Sequence, residues 1–260
     1  RRRNGALRGL LDLTMAALAV YGLVFLRIGA MMAFLPAFGE RMVPARIKLA
    51  LAFAFTAIVA PAVAAHLPVM PGGAADLVRI LLMETLNGLA LGFVLRLFLM
   101  AIEMAGGIAA QSGSLSQMFG TGGEPMPAIS HLLGMAGLCL ALIGGLHVRL
   151  AQAMILSYRA MPAGQLPGAS LMESWGVAQI SAAFGLAFSL SAPFVIAALL
   201  YNVALGFINK AMPGLMVSMI GAPALTAAVL LLLVVSAPLM LTIWVQGFDA
   251  FLAHPFLVPG

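Results

Sequence analysis

The residue types that carry covalent chemistry are few in this chain and far apart. Ser112 and Ser114 sit in a glycine-rich segment, and His131 or His147 is the base that such a serine would need. That set describes an intramembrane serine hydrolase, although a Gly-Ser pair in an apolar helix also serves as a packing or kink feature. Glu84, Arg96 and Glu103 form a second set, the kind of interior ionisable group that holds a substrate or proton in a secondary transporter. Arg96 and Glu103 are seven residues apart and share a helix face, where pairing lowers the cost of each charge. Against transport by rocking, no two matched halves stand out. Cys139 is the single cysteine, which excludes an internal disulfide, and the four histidines are dispersed without zinc or redox spacing. The chain has no HExxH, CxxC, Walker or dinucleotide-binding motif. No enzyme activity, metal or cofactor is therefore expected.

The elements that must position these residues are apolar. Of 260 residues, 63% are hydrophobic and 8% charged, against about 25% charged in an ordinary soluble domain. So few charges cannot cover the outside of a water-soluble globule, so the chain is expected to be an integral membrane protein. The net charge of +5 does not indicate nucleic acid, because apart from Arg1, Arg2, Arg3 and Arg8 the bases are scattered beside apolar runs. The basic front before Leu13–Leu26 resembles a secretory signal. The run continues through Arg27 to Leu35 without a clear cleavage site, and is read as a retained first segment.

Apolar runs cover Leu10–Leu35, Leu49–Ala65 and Ala128–Val148, and a helix begins near Ala74. That helix carries Asp76, Arg79, Glu84, Arg96 and Glu103, too many ionisable groups for a helix facing lipid, so it should pack inside protein or lie partly outside the bilayer. The stretch from Gly106 to Pro127 is the least regular. Gly88 and Gly92, and Gly134 with Gly137, have the small-residue spacing that lets helix backbones approach. They serve internal packing or a subunit contact. No charge occurs between Glu173 and Lys210, nor between Lys210 and Asp249. Such runs are too long for one bilayer crossing. Either Pro193, Pro223 and Pro238 break them, or the helices stand in protein surroundings thicker than a membrane. Lys210 to Gly214 reads as a hairpin turn. Basic residues flank both ends of the first segment, so charge bias assigns no orientation.

Read in order, the residues resemble one family across nearly the whole chain, the FliR/SctT export-gate subunits of flagellar and injectisome type III secretion. Phe25-Leu26-Arg27-Ile28-Gly29-Ala30-Met31, then Leu35-Pro36-Ala37-Phe38-Gly39 and Val43-Pro44-Ala45-Arg46, are similar to its first loop signature. Glu84 with Gly88 and Gly92, Ala105-Gly106-Gly107, Gln111-Ser112-Gly113 and Glu124-Pro125 resemble its middle segment. His147, Ser157-Tyr158, Pro162-Ala163-Gly164, Ala192-Pro193, Asn202, Leu205-Gly206, Pro213 and Ile220-Gly221-Ala222-Pro223 resemble the remainder. Glu124 stands where an Asp is usual, and Gly214 and Met216 replace a polar Gln and Asn.

The resemblance implies an all-α integral membrane protein of long, kinked helices and helical hairpins, built to sit in a hetero-oligomeric helical assembly. Residues 1–175 would be FliP-like and 176–260 a FliQ-like long hairpin. The implied role is an export-gate subunit, most simply flagellar, at the inner membrane in the basal body. Its partners would be FliP-like, FliQ-like, FlhB-like and FlhA-like components, membrane lipid and unfolded exported proteins, with no nucleic acid. A pore or plug loop is expected over Gly106, Gly107, Gln111, Gly113, Leu115, Met118, Phe119, Glu124 and Pro125, in which apolar side chains seal by expelling water and the glycines permit turns. Glu84, Arg96 and Glu103 would be interior contacts beneath it. Arg27, Arg41, Arg46, Lys48, Pro213, Gly221 and Pro223 are expected at subunit or lipid contacts.

Overall fold

Runs of alanine, leucine and methionine with few interior charges favour helix, and helix is what they form. The computed structural model describes residues 2–36, 43–67, 73–113, 128–165, 167–211 and 217–256. Among these, the helices are α1 (Arg2–Met32), α2 (Ala45–Val63), α3 (Ala74–Ser112), α4 (Ala128–Ile143), α5 (Leu146–Ala160), α6 (Ala169–Ala211) and α7 (Val217–Ala253), with a short 3-10 turn at Ala64–His66. No strand occurs among the described residues. Four of the helices, α2, α3, α6 and the Pro223–Ala253 part of α7, are long and apolar enough to cross a membrane. The α4–α5 pair meets the same measure of length and composition only when the two helices are taken together, as a broken span or a re-entrant loop.

Three features differ from the sequence expectation. First, the apolar run Ala128–Val148 is not one element. It breaks at Gly144 and Gly145, where Gly145 takes a φ of 85° that L side chains rarely adopt, and His147 therefore falls in the first turn of α5. Second, the prolines do not break the long uncharged runs. Pro193 lies inside the 43-residue α6, and Pro223 and Pro238 inside the 37-residue α7. At 1.5 Å per residue these helices span about 65 and about 55 Å, well beyond a hydrocarbon core of about 30 Å. Third, α3 runs on through Gly106, Gly107 and Gln111 to Ser112, so the first part of the expected irregular segment is helical.

The chain packs as two compact units interleaved in sequence. One comprises residues 1–96, 145–179 and 251–260; the other comprises 97–144 and 180–250. In the first, α2 packs on α1 and α5. Phe25 stacks on Phe53 at 4.7 Å between ring centres, and Phe34 meets Phe93 edge-on.

In the second unit, small residues set the spacing. A Cβ on Gly106 would lie 2.7 Å from the Ser130 backbone, so α3 and α4 nearly touch there. The Ser130 hydroxyl donates to the Glu103 carbonyl at 2.6 Å across the same contact. Gly106 thus serves close approach within a helix, not a turn, which is why α3 continues past it. On α7, Trp244 is fully buried and donates its indole N–H to the Phe98 carbonyl at 2.6 Å. Its ring stacks on Phe248 and lies against Gly137, where a Cβ would stand 3.1 Å from the indole. Ala101 of α3 packs with Ala183 and Ala187 of α6.

Candidate functional site

The first unit is closed around a buried guanidinium. Arg27 on α1 and Glu84 on α3 are 2% and 0% exposed, and form a two-point ion pair. Arg27 Nε donates to Glu84 Oε2 at 2.8 Å and Arg27 Nη2 to Oε1 at 3.1 Å, the parallel geometry that arginine's planar fork favours. Two further bonds hold the group. Nη1 donates to the Ser157 hydroxyl at 3.1 Å, and Nη2 to the Met161 carbonyl at 3.0 Å. The guanidinium carbon lies 3.8 Å from the centre of the Tyr158 ring. Glu84 in turn accepts from the Tyr158 hydroxyl at 3.3 Å and from the Gly164 backbone N–H at 3.0 Å. Every polar end of the pair is satisfied, which is the condition for holding two charges out of water.

Helix packing brings the pair together. Glu84, Gly88 and Gly92 recur every four residues along one face of α3. A Cβ at Gly88 would collide with the Arg27 carbonyl oxygen, and one at Gly92 would lie 2.6 Å from the Met31 carbonyl. The two glycines therefore seat α1 directly on α3, and Arg27 projects to Glu84 one turn away. Gly88 and Gly92 are thus an internal contact of this chain. The third wall comes from the end of α5 and the following turn, where Gly164 has a φ of 72° and directs its N–H at Glu84. Asn87, also fully buried, donates to the Gln165 carbonyl at 3.0 Å and adds a second tie to this turn.

The other expected residues fall as follows. Arg27, expected at a subunit or lipid contact, is instead buried inside its own unit because Glu84 lies within reach. Arg96 and Glu103 are both half-buried on α3. Arg46 is exposed and Lys48 half-buried at the start of α2. Gly221, also expected at a subunit or lipid contact, is buried within the α6–α7 hairpin, where the Tyr201 hydroxyl donates to its carbonyl. Pro223 is exposed. Arg41, Pro213, Leu115, Met118, Phe119, Glu124 and Pro125 lie outside the described residues.

The expected plug segment is anchored where it leaves α3. The Thr226 hydroxyl donates to the Gly113 carbonyl at 3.0 Å, and Gly113 lies so close to Val229 that a Cβ would stand 3.0 Å from it. Thr226 and Val229 went unnoticed in the sequence, since an isolated threonine in an apolar helix gives no signal. Ser157, Tyr158 and Gly164 appeared there only as parts of the family pattern, with no hint that they surround Arg27.

Of the hydrolase set, the Ser112 hydroxyl donates to the Ile108 carbonyl of its own helix at 2.8 Å. Neither His131 nor His147 bonds a serine among the described residues. No cluster of three metal-ligating side chains occurs among them either. The polar groups here hold helices together.

These features define an all-helical membrane protein whose buried Arg27–Glu84 pair serves packing within its own fold. The family model described as bacterial export proteins, family 1, matches residues 18–251, and the chain belongs to that family, the FliR/SctT proteins. It is similar to the flagellar biosynthetic protein FliR of Caulobacter vibrioides, with 29% identity over 238 residues covering 90% of this chain and 94% of the relative. The Escherichia coli protein of that name is 31% identical over 216 residues, 79% of each chain. The Aquifex aeolicus one is 28% identical over 236 residues, 88% of this chain and 89% of the relative. Membership makes the chain a membrane component of bacterial flagellar protein export.

Proposed function

We propose that this chain forms part of the wall of the protein-conducting channel in the flagellar export gate of the inner membrane, within the basal body, and that the part of residues 106–127 that follows α3, from Gly113 onward, carries its gating plug. One observation supports this reading most directly. Helices α6 and α7 exceed a bilayer's thickness yet expose large apolar side chains along their length, among them Leu200, Phe207, Leu231 and Val235, at 65–77% exposure. Faces of that size need protein neighbours. FliP-like and FliQ-like subunits supply them, with FlhB-like and FlhA-like components adjoining, and residues 176–260 act as the FliQ-like hairpin beside a FliP-like remainder.

The plug assignment draws support from the tie at Gly113, which fixes one root of the segment. Apolar side chains such as Leu115, Met118 and Phe119 seal by dewetting and deform around varied substrates. Arg96 and Glu103 act as interior contacts on the helix beneath. The transporter alternative loses its most buried group, because both carboxylate oxygens of Glu84 are engaged by Arg27, Tyr158 and Gly164.

Two measurements test the reading. Detergent extraction should recover the chain in a large hetero-oligomer; a stable monomer would refute the channel assembly. Shortening Gly113–Gly122 should raise ion leak across membranes carrying the assembled gate, and unchanged conductance removes the plug.

A further inference from the structure

The ends of three helices meet in the first unit to form a two-part cleft. One half is an open, mostly apolar depression of about 360 Å³ in which Arg159 at the end of α5 and His254 just past α7 stand among Leu156, Ala160, Ala253 and Pro255. The other half, about 180 Å³, adjoins it through Ala160 and Phe256 and is lined by Pro167, Leu171, Met172 and Trp175. Trp175 is held in place, donating its indole N–H to the Pro255 carbonyl at 3.0 Å and stacking on Phe256. Arg159 and His254 are exposed, and their side chains have no hydrogen-bond or ion-pair partner among the described residues. Glu173, the nearby acidic residue of α6, lines neither half.

We infer that this cleft binds an anionic phospholipid, with the headgroup phosphate at Arg159 and His254 and an acyl chain along Leu171, Trp175 and Phe256. Charge and shape both point to a lipid. A guanidinium and an imidazole N–H converge on one opening and are donors suited to phosphate oxygens. The adjoining wall is apolar and aromatic, so the ligand must carry a long apolar tail beside its anion.

The test uses the full chain purified with its export-gate partners in detergent, with bound lipid counted by native mass spectrometry. Dioleoyl-phosphatidylglycerol should be retained in preference to dioleoyl-phosphatidylcholine. The double substitution Arg159→Gln and His254→Gln should weaken phosphatidylglycerol retention by about tenfold, the scale of one lost charge-assisted contact. Leu171→Asp should weaken it as well, through the tail. The mass of the assembly read in the same spectra reports whether the variants still assemble. Equal retention of the two lipids overturns the inference, as does unchanged retention in the double variant. Competition by millimolar inorganic phosphate as strong as that by the lipid would overturn it too, by showing that a free anion suffices.

Discussion

The carbonyl oxygen of Arg27 occupies the place where a side chain at position 88 would begin, and the guanidinium of the same residue holds Glu84 one helical turn away. Backbone contact and ion pair are thus two parts of one helix crossing. Glycine permits the approach of α1 to α3, and the approach places the charges at bonding distance.

The pair should fail when either side is neutralised. Glu84→Gln leaves a buried guanidinium without its counter-charge, a loss of about 3–5 kcal/mol. Arg27→Lys should be damaging as well, because an ammonium cannot reproduce the two-point fork or serve Ser157 and Met161 together. Thermal unfolding of the purified gate and swimming motility should both decline, Glu84→Gln at least as severely as Arg27→Lys. Wild-type melting in both variants would show the clasp to be dispensable.

The crossing itself is tested by glycine. Gly88→Ala drives a methyl group into the Arg27 carbonyl and should cost about 1–3 kcal/mol through forced separation of the helices. Gly22→Ala, on α1 with open space around it, should be neutral or slightly stabilising. The comparison, read as the amount of folded chain surviving heat, separates packing from a general effect of alanine in membrane helices.

In the second unit, Trp244 and Gly137 should behave as a coupled pair. Trp244→Phe removes the second donor to the Phe98 carbonyl, which keeps its bond within α3, and should cost about 0.5–1.5 kcal/mol. Gly137→Ala presses a methyl group onto the indole. Combined, the two should cost less than their sum, because the smaller ring makes room for the methyl. Strict additivity in a double-mutant cycle would count against direct packing.

Gly145 should tolerate asparagine better than valine. Its φ of 85° is accessible to glycine and, at modest cost, to asparagine, whereas a β-branched side chain is strongly disfavoured there. Gly145→Val is expected to lower the yield of folded chain markedly, and Gly145→Asn only slightly.

Thr226→Val keeps the shape of the side chain but removes the hydroxyl that holds the Gly113 carbonyl. If the segment after Gly113 is a plug, loosening its root should raise resting conductance in the assembled gate while leaving chain levels near normal. Conductance equal to wild type would detach the Thr226 contact from gating.

Much of this was legible before any coordinates. Membrane residence followed from the scarcity of charge, since 8% charged residues cannot cover a soluble surface. The helical character followed from the apolar runs, and family membership from the order of short motifs. The spacing of Gly88 and Gly92 announced a close helix contact, and Glu84 an interior polar group. The sequence could not name their partners. Spacing reports neighbours only along one helix, such as Arg96 and Glu103. The buried Arg27–Glu84 pair joins residues 57 positions apart, and Ser157, Tyr158, Met161 and Gly164 come to it from still further along. The role of Gly106 was misjudged for a related reason. A glycine that permits a turn and one that permits close packing look alike in a sequence, and only the backbone of Ser130 against it decides between them. The prolines likewise suggested breaks, yet α6 and α7 continue through them. Composition and local spacing thus determined the membrane setting and the helices; which groups lie buried together was decided by tertiary structure, because the satisfaction of a buried charge depends on what surrounds it in space.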